Sequence, residues 1–405
     1  MNEAAAIPAI ALVTIDRETG SAVLSRSDGK EARVPLCSRM FANTSALSRL
    51  HWTPDGGGLL AVTRAGDDIA FEMPRRDGPD GPRGRLVVYL DQNQWSLLAR
   101  CTRVPADVKK EDLAAAEQIA DWSRQRRIVL SASAGHYFET MKWREPARRY
   151  SLGLTVLQLS CGWQMRDPLL VRRDEIHDAF RCAFADGTGT RSSPVFTLRP
   201  NVLHGPPRGG PPHQPPADFP PDIAYAREAL TSAIVLIDVM LDAEHVESGP
   251  SAGWPAVNQQ FSDWLDGEKR DAQQKRRSID ALLMSDLQRE IAEEAHTARA
   301  TSEQMSQWIG KSFAAGISAL PATGLFRELL HEKHLNKGSR WVPNDLTDMI
   351  YLSCAAGYAD IVVCERFTAA ALSRGQRRLG RTPNAFRTLR EAVPAVEAAL
   401  AASAR

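Results

Sequence analysis

The stretch Arg85-Leu-Val-Val-Tyr-Leu-Asp91-Gln-Asn93-Gln-Trp95 decides the fold. Its unbroken apolar run, Leu86 to Leu90, reads as a strand covered on both faces, as in a parallel sheet. The run ends at an acid. Open α/β sheets place their chemistry beyond the carboxyl ends of strands, near a topological switch point, and Asp91 is expected there. A carboxylate in that position must be paired, hydrogen-bonded or metal-bound, because an isolated buried charge is costly.

Outward from this strand, residues 85–185 keep an α/β rhythm. A helix is expected through Trp95 to Arg100 and another over 110–125. Arg127-Ile-Val-Leu-Ser-Ala-Ser is a second buried strand, and 134–145 and 150–163 are expected to be helical. Strands alternating with helices imply a parallel sheet. Upstream, residues 1–75 alternate short apolar runs with turn signals, beginning with a hairpin around Glu18-Thr-Gly, and are expected to form a small β-rich accessory module. Residues 76–84 read as a linker. Downstream, 186–222 are rich in Gly and Pro, with Pro206 to Pro216 the densest part, and are expected to hold no regular structure. Residues 223–340 read as a helical insertion. The α/β rhythm returns over 341–405, with a helix from Asn344 to Ala356 and the strand Asp360-Ile-Val-Val-Cys364. One α/β domain thus appears in two parts, 85–185 and 341–405.

Composition narrows the class. The chain has 405 residues, 43% hydrophobic and 24% charged, with a net charge of +1. These are ordinary values for a globular protein, and any attraction for polyanions must be local. The bases are 41 Arg and 9 Lys, a bias that a GC-rich genome explains as readily as phosphate binding. Six cysteines occur without a Cys-x-x-Cys pair, which argues against a zinc site or a disulfide framework and for a reducing compartment. The N-terminal residues do not resemble a signal peptide, and no apolar run approaches the roughly 18 residues of a membrane span. No membrane association is expected, and the expected location is cytoplasmic.

Acids recur at the ends and starts of these elements. Asp91 has Asn93 two residues on. Glu139 follows the second strand, on a helix that Ser131 or Ser133 can cap. Asn344-Asp345-Leu-Thr-Asp348 opens a helix after Pro343, with Asn344 or Asp345 as its cap and Asp348 in the first turn. Glu365 follows the last strand. Each acid alone also reads as a cap, a solvated side chain or an ion-pair partner; Asp360, at a strand start, reads as a turn-fixing residue. The signal lies in their order.

That order resembles the PIN-domain nuclease superfamily, in a bacterial PIN-like subgroup with long insertions. The matching positions are Asp91 with Asn93, Glu139 in Ser131-Ala-Ser-Ala-Gly-His-Tyr-Phe-Glu139, Asp348 opening its helix, and Glu365 after the strand. The match covers 85–163 and 341–392. The resemblance implies a three-layer α/β/α domain with a central parallel sheet. It also implies metal-dependent phosphodiester hydrolysis, with RNA the favoured substrate, with Mg²⁺ or Mn²⁺ held by Asp91, Asp345, Asp348 and Glu365, and a homodimer as one form of assembly. Asp91, Glu139, Asp348 and Glu365 would be the catalytic acids, with Asn93, Ser133 and Asn344 supporting them. Two departures touch the site: Glu365 stands where Asp is usual, and Cys364 where a Thr or Ser commonly helps position the acids.

The chemistry suits these residue types. Hard oxygen ligands hold divalent ions that stabilise an anionic transition state and lower the pKa of an attacking water. Without a cation, neighbouring carboxylates repel, and at least one should have a raised pKa. Substrate phosphates need bases. Arg366, Arg374, Arg377 and Arg378 follow Glu365, and Lys142 and Arg144 follow Glu139, with Arg148 and Arg149 beyond; these are the expected nucleic-acid contacts, with RNA favoured as partner. His136 shares a helix face with Glu139 but reads first as a structural histidine. A dehalogenase-type phosphatase would need a second Asp where Asn93 stands. The other reading is a non-catalytic PIN-like module that binds nucleic acid or a protein partner.

Overall fold

The computed structural model describes residues 10–35, 46–53, 58–74, 81–184, 194–199, 221–242, 244–246 and 253–403, with the backbone alone at 221–224 and 226–228. Residues 76–80 of the expected linker and the run Pro206 to Pro216 lie outside the described residues.

The N-terminal part is an antiparallel sheet of β1 (Ile10–Asp16), β2 (Ser21–Arg26), β3 (Glu31–Pro35), β4 (Leu47–Thr53), β5 (Gly58–Thr63) and β6 (Asp68–Phe71), in the order β3-β2-β1-β4-β5-β6. Gly20 closes the first hairpin with φ of 60°, a conformation that glycine takes without a steric penalty.

The expected buried strand follows as β7 (Leu86–Leu90). After it come α1 (Gln92–Arg103), α2 (Lys110–Arg124), β8 (Ile128–Ser131), α3 (Ala134–Met141), α4 (Pro146–Ser160), β9 (Gln164–Met165) and α5 (Pro168–Phe184). The helix expected over 134–145 stops at Met141. Pro146 starts the next helix, and the residue before it, Glu145, is held extended at φ −74°, ψ 115°. The 186–222 stretch is not wholly irregular: β10 (Phe196–Thr197) pairs antiparallel with β9, and the buried Phe196 and Leu198 give it an apolar anchor.

The helical stretch comprises α6 (Pro221–Leu241), α7 (Trp254–Gly267), α8 (Ala272–Thr297), α9 (Ser302–Gln307), α10 (Phe313–Ala319) and α11 (Pro321–Leu335). The chain ends with α12 (Asp345–Tyr358), β11 (Ile361–Val363), α13 (Arg366–Arg378), β12 (Ala385–Phe386) and α14 (Leu389–Ser403). Among the described residues no helix is long and apolar enough to cross a membrane.

The protein is a mixed α/β fold whose four-stranded parallel sheet has the order β12-β11-β7-β8. Side chains alternate across each strand. Val88, Leu90, Leu130, Ile361 and Val363 face one apolar core, shared with α1, α2, α4, α6, α14 and the N-terminal sheet. Val87, Tyr89, Val129 and Val362 face a second core, shared with α5, α8, α10, α11, α12 and α13. Burial on both faces explains why β7 reads as continuously apolar. It also splits the helices of 223–340: α6 packs on α4, while α8 and α11 pack with α5 on the opposite face. The N-terminal sheet docks on α4, where Gln158 Nε2 donates to the Asp68 carbonyl and Tyr150 Oη to Asp67. A bidentate Arg85–Glu72 pair (2.7 and 2.8 Å) ties that sheet to the start of β7.

One junction sets the position of α12. The buried Glu175 carboxylate on α5 accepts from the Ala322 and Thr323 amides at the start of α11 and from Tyr358 Oη at the end of α12 (2.6, 2.9 and 2.8 Å). An anion there meets the positive end of α11. The approach is close enough that a Cβ on Gly357 would stand 2.8 Å from the Pro321 carbonyl carbon. Gly357→Ala is therefore expected to cost about 1–3 kcal/mol of stability by overpacking. Urea titration checks it, and an unchanged midpoint would mean that the two helices are not pressed together there.

Candidate functional site

The parallel sheet creates its own crevice. From β7 the chain leaves through α1 to one face; from β11 it leaves through α13 to the other. Between these adjacent strands the carboxyl edge opens, which is the geometry of a topological switch point. Asp91 follows β7 and Glu365 follows β11. Glu139 arrives on α3 after β8. α12 runs into β11 from the opposite direction, so its first turn, with Asp348, also lies at this edge. All four acids line one cavity of about 420 Å³, with Asn93, Asn344 and Lys142.

Asp91 is fully engaged by protein. Its Oδ1 accepts from the Gln94 amide (3.1 Å), capping α1, and its Oδ2 accepts from the Glu365 amide (2.9 Å) across the strand gap. Burial nonetheless pushes its pKa up to about 6, with the Glu365 charge adding to the rise and these amides opposing it. Asp348 is pushed up further, to about 7, by burial and then by Glu139, Glu365 and Asp91. By surface area Asp348 is exposed, since it opens on the cavity, so water there trims the effect; the direction follows from carboxylates crowding one recess.

The other two acids have partners of their own. Glu139 Oε1 accepts from Lys142 Nζ, which also reaches Asn344 Oδ1 at 3.1 Å. Glu365 Oε1 accepts from Asn93 Nδ2. Among the described residues no three His, Cys, Asp or Glu side chains stand close enough to one another to hold a metal ion. The arrangement is an acid-lined recess with its oxygens turned towards internal donors.

Beneath it lies a directed hydrogen-bond chain. Burial lowers the His136 pKa to about 4, so the ring is neutral. Its Nε2 lies 2.8 Å from the Leu90 carbonyl, which can only accept, so Nε2 carries the proton. Nδ1 must then accept from Ser133 Oγ (3.3 Å), and Ser133 in turn accepts from Tyr89 Oη (2.9 Å). His136 thus holds the residue just before Asp91, in the structural role its position suggested.

Several expected residues do other work. Ser133 occupies the N-cap position of α3, yet its hydroxyl makes no cap bond and touches none of the acids, because Tyr89 and His136 claim it. Asp345 is turned away from the cavity: its carboxylate accepts from Lys333 Nζ and from the Val342 amide, fixing the turn before α12. Arg374 pairs with Glu332, and Arg378 with Glu328 and Glu332, so both face α11. Arg366 and Arg377 are exposed on α13, and neither borders the cavity. Arg144 is exposed outside it, and Arg149 braces the loop before α4 through the Trp143 and Arg144 carbonyls. Adjacency to Glu365 in sequence did not mean the same face of the helix. Cys364 is fully buried, whereas Thr368 borders the cavity. Thr368 and Tyr351 lie three residues after Glu365 and Asp348, an offset that places side chains on one helix face and would have found both. Ser96 and Thr347 also line the wall.

No protein-family model, curated protein or solved structure matches this chain.

The raised carboxyls make stability depend on pH. In the folded chain Asp348 keeps its proton up to about pH 7, while an unfolded carboxyl releases it near 3.8. Between those values the folded state holds the extra proton, so stability falls as pH rises and the loss is complete above about 7. Asp91 adds the same trend up to about 6. Asp348→Asn removes the Asp348 contribution, and solvent screening keeps it modest. The variant is expected to gain roughly 1 kcal/mol over the wild type between about pH 4 and pH 8 in urea melts. Parallel pH profiles for the two proteins would show that the recess does not hold this proton.

Proposed function

We propose that this cavity is the active site of a metal-dependent nuclease that hydrolyses phosphodiester bonds, in RNA by preference. The observation that carries the reading is the meeting of Asp91, Glu139, Asp348 and Glu365, from four separate segments, at the switch point of a parallel sheet, with the Asp348 pKa pushed up to about 7 by burial and then by the other three. Acids assembled at the cost of mutual repulsion suit a site that a cation relieves. The two-part α/β region, covered by helices on both faces, agrees with the PIN-like order of its motifs.

The donor set fits Mg²⁺ or Mn²⁺, since it is all carboxylate and amide oxygen. A bound cation would supply an activated water and charge stabilisation for the phosphoryl centre. The chain's own residues do the rest. Asp91 keeps the β7 and β11 ends together. Glu139 and Glu365 would have to leave Lys142 and Asn93 to turn inward and help hold the cation. Lys142, released from Glu139, stays on the cavity wall as a contact for substrate phosphate. Asp348 would hold the cation as a carboxylate, its proton passing to water.

A second reading has its own support. Lys142 already neutralises Glu139, Asn93 already binds Glu365, and among the described residues no three acids stand at metal-binding distance. Such a recess also suits a non-catalytic module that binds nucleic acid or a protein partner.

Incubation with single-stranded and structured RNA and DNA, in Mn²⁺ or Mg²⁺ and in EDTA, separates the two. Metal-dependent cleavage that falls at least about 10²-fold in Asp91→Asn is expected for the enzyme. Cleavage equal in both proteins rejects the site. Binding without cleavage of any substrate favours the non-catalytic module.

A further inference from the structure

A second cleft adjoins the acidic cavity, and Ser96 lines both. It has a volume of about 190 Å³ and is formed by the last turns of α1 and the start of α4. Arg100, Arg103 and Arg148 border it, opposed by a single acid, Glu145. Arg100 and Arg103 are three residues apart and share a helix face. Among the described residues, none of the three arginines is in an ion pair, whereas Arg374, Arg378, Arg387 and Arg390 all are. The Arg148 guanidinium lies 3.3 Å from the centroid of the Trp143 ring, and Trp143 lines the acidic cavity. This pair is therefore the wall shared by the two depressions. Stacking fixes the guanidinium plane and leaves its edge free for bidentate bonding to a phosphate.

Arginines in the last turn of α1 also suit the negative end of that helix. That preference does not account for Arg148 on the neighbouring helix, nor for the shared wall with an acidic recess. The juxtaposition of an acidic cavity and an unpaired basic cleft is what a polyanion needs when one of its groups must enter among carboxylates. Flanking phosphates are held by the bases while the central group enters the recess.

We infer that Arg100, Arg103 and Arg148 form the lane for the phosphate chain of a single-stranded nucleic acid running from the acidic cavity over Ser96 to the α1–α4 cleft. The inference rests on the proposed nuclease reading for what happens in the cavity, but not for binding in the lane. Single strands are specified because the acids lie within a recess of small-ligand size, which takes in an unpaired nucleotide and not a rigid duplex.

The test is anisotropy titration of a fluorescein-labelled oligouridylate in EDTA across a salt series. The wild type is compared with the single variants Arg100→Ala, Arg103→Ala and Arg148→Ala, the triple variant, and Arg377→Ala as a basic control on α13. Each lane substitution is expected to reduce the slope of log affinity against log salt by about 0.7, and the triple variant by about 2. Arg377→Ala should leave it unchanged. Thermal melting checks that the substitutions, including that of the half-buried Arg148, leave the fold intact. In Mn²⁺, the triple variant should raise KM far more than it lowers kcat. A triple variant with the wild-type slope and affinity overturns the lane while the nuclease reading stands on cleavage. Equal competition by a duplex overturns the single-strand assignment. A wild type that binds through these arginines but never cleaves keeps the lane and rejects the catalytic reading. A wild type that binds no oligonucleotide rejects the lane, and the catalytic reading is then decided by cleavage in Mn²⁺ alone.

Discussion

The contact on which the rest of the site depends is the pair of bonds from the Asp91 carboxylate to the Gln94 and Glu365 amides. One oxygen starts α1 and the other anchors the chain leaving β11, so a single side chain fixes both exits from the crevice. Two neighbours hold it in place. The Asp91 amide donates to the Val363 carbonyl, and His136 holds the Leu90 carbonyl. At the other end of the same strand pair, the Asp360 carboxylate accepts from the Val87 amide at 2.7 Å. The β7–β11 pair is thus clamped by an aspartate at each end, and the acid-lined opening lies beyond one of the clamps.

Charge in the recess is balanced locally. Lys142 answers Glu139, Asn93 answers Glu365, and Asp91 has its amides. Asp348 has no such answer among these donors, and it is the carboxyl whose pKa rises most. The imbalance follows from position. The first turn of a helix offers Asp348 a favourable dipole, but three other carboxyls share its recess. Internal donors also explain how the acids can sit together with their oxygens turned apart. Asp91, Glu139 and Glu365 each have a protein partner that a competing cation would have to displace.

Much of the scaffold was legible because it obeys short-range rules. The apolar run Leu86 to Leu90 is buried on both faces and reads directly as a central strand. Asp91 and Glu365 were found because they end strands, and Asp348 because Pro343 and Asn344 announce a helix start. The gathering of Glu139, Asp348 and Glu365 with Asp91 came from their order along the chain. What the sequence hid was direction around a helix when two helices compete for the same residue. Arg374 and Arg378 follow Glu365 closely, yet α11 offers Glu328 and Glu332 on the opposite side and takes them. Asp345 and Asp348 sit one turn apart, yet Lys333 draws the first away. The division of α6 from α8 and α11 between two faces was equally hidden, because the apolar spacing along a helix does not say which core it joins.

The partners in the Asp91–Glu365 bond are 274 residues apart. At translation rates of about 5–20 residues per second, roughly 14–55 s separates the emergence of β7 from that of β11. During that interval β7 can pair with β8, but its other edge and the Asp91 carboxylate have no native partner. The central strand of the sheet is thus temporarily an edge strand, and exposed edges are where chains pair wrongly with one another. The crevice cannot form until β11 has emerged, and the nascent protein is most vulnerable to self-association just before its acidic site exists.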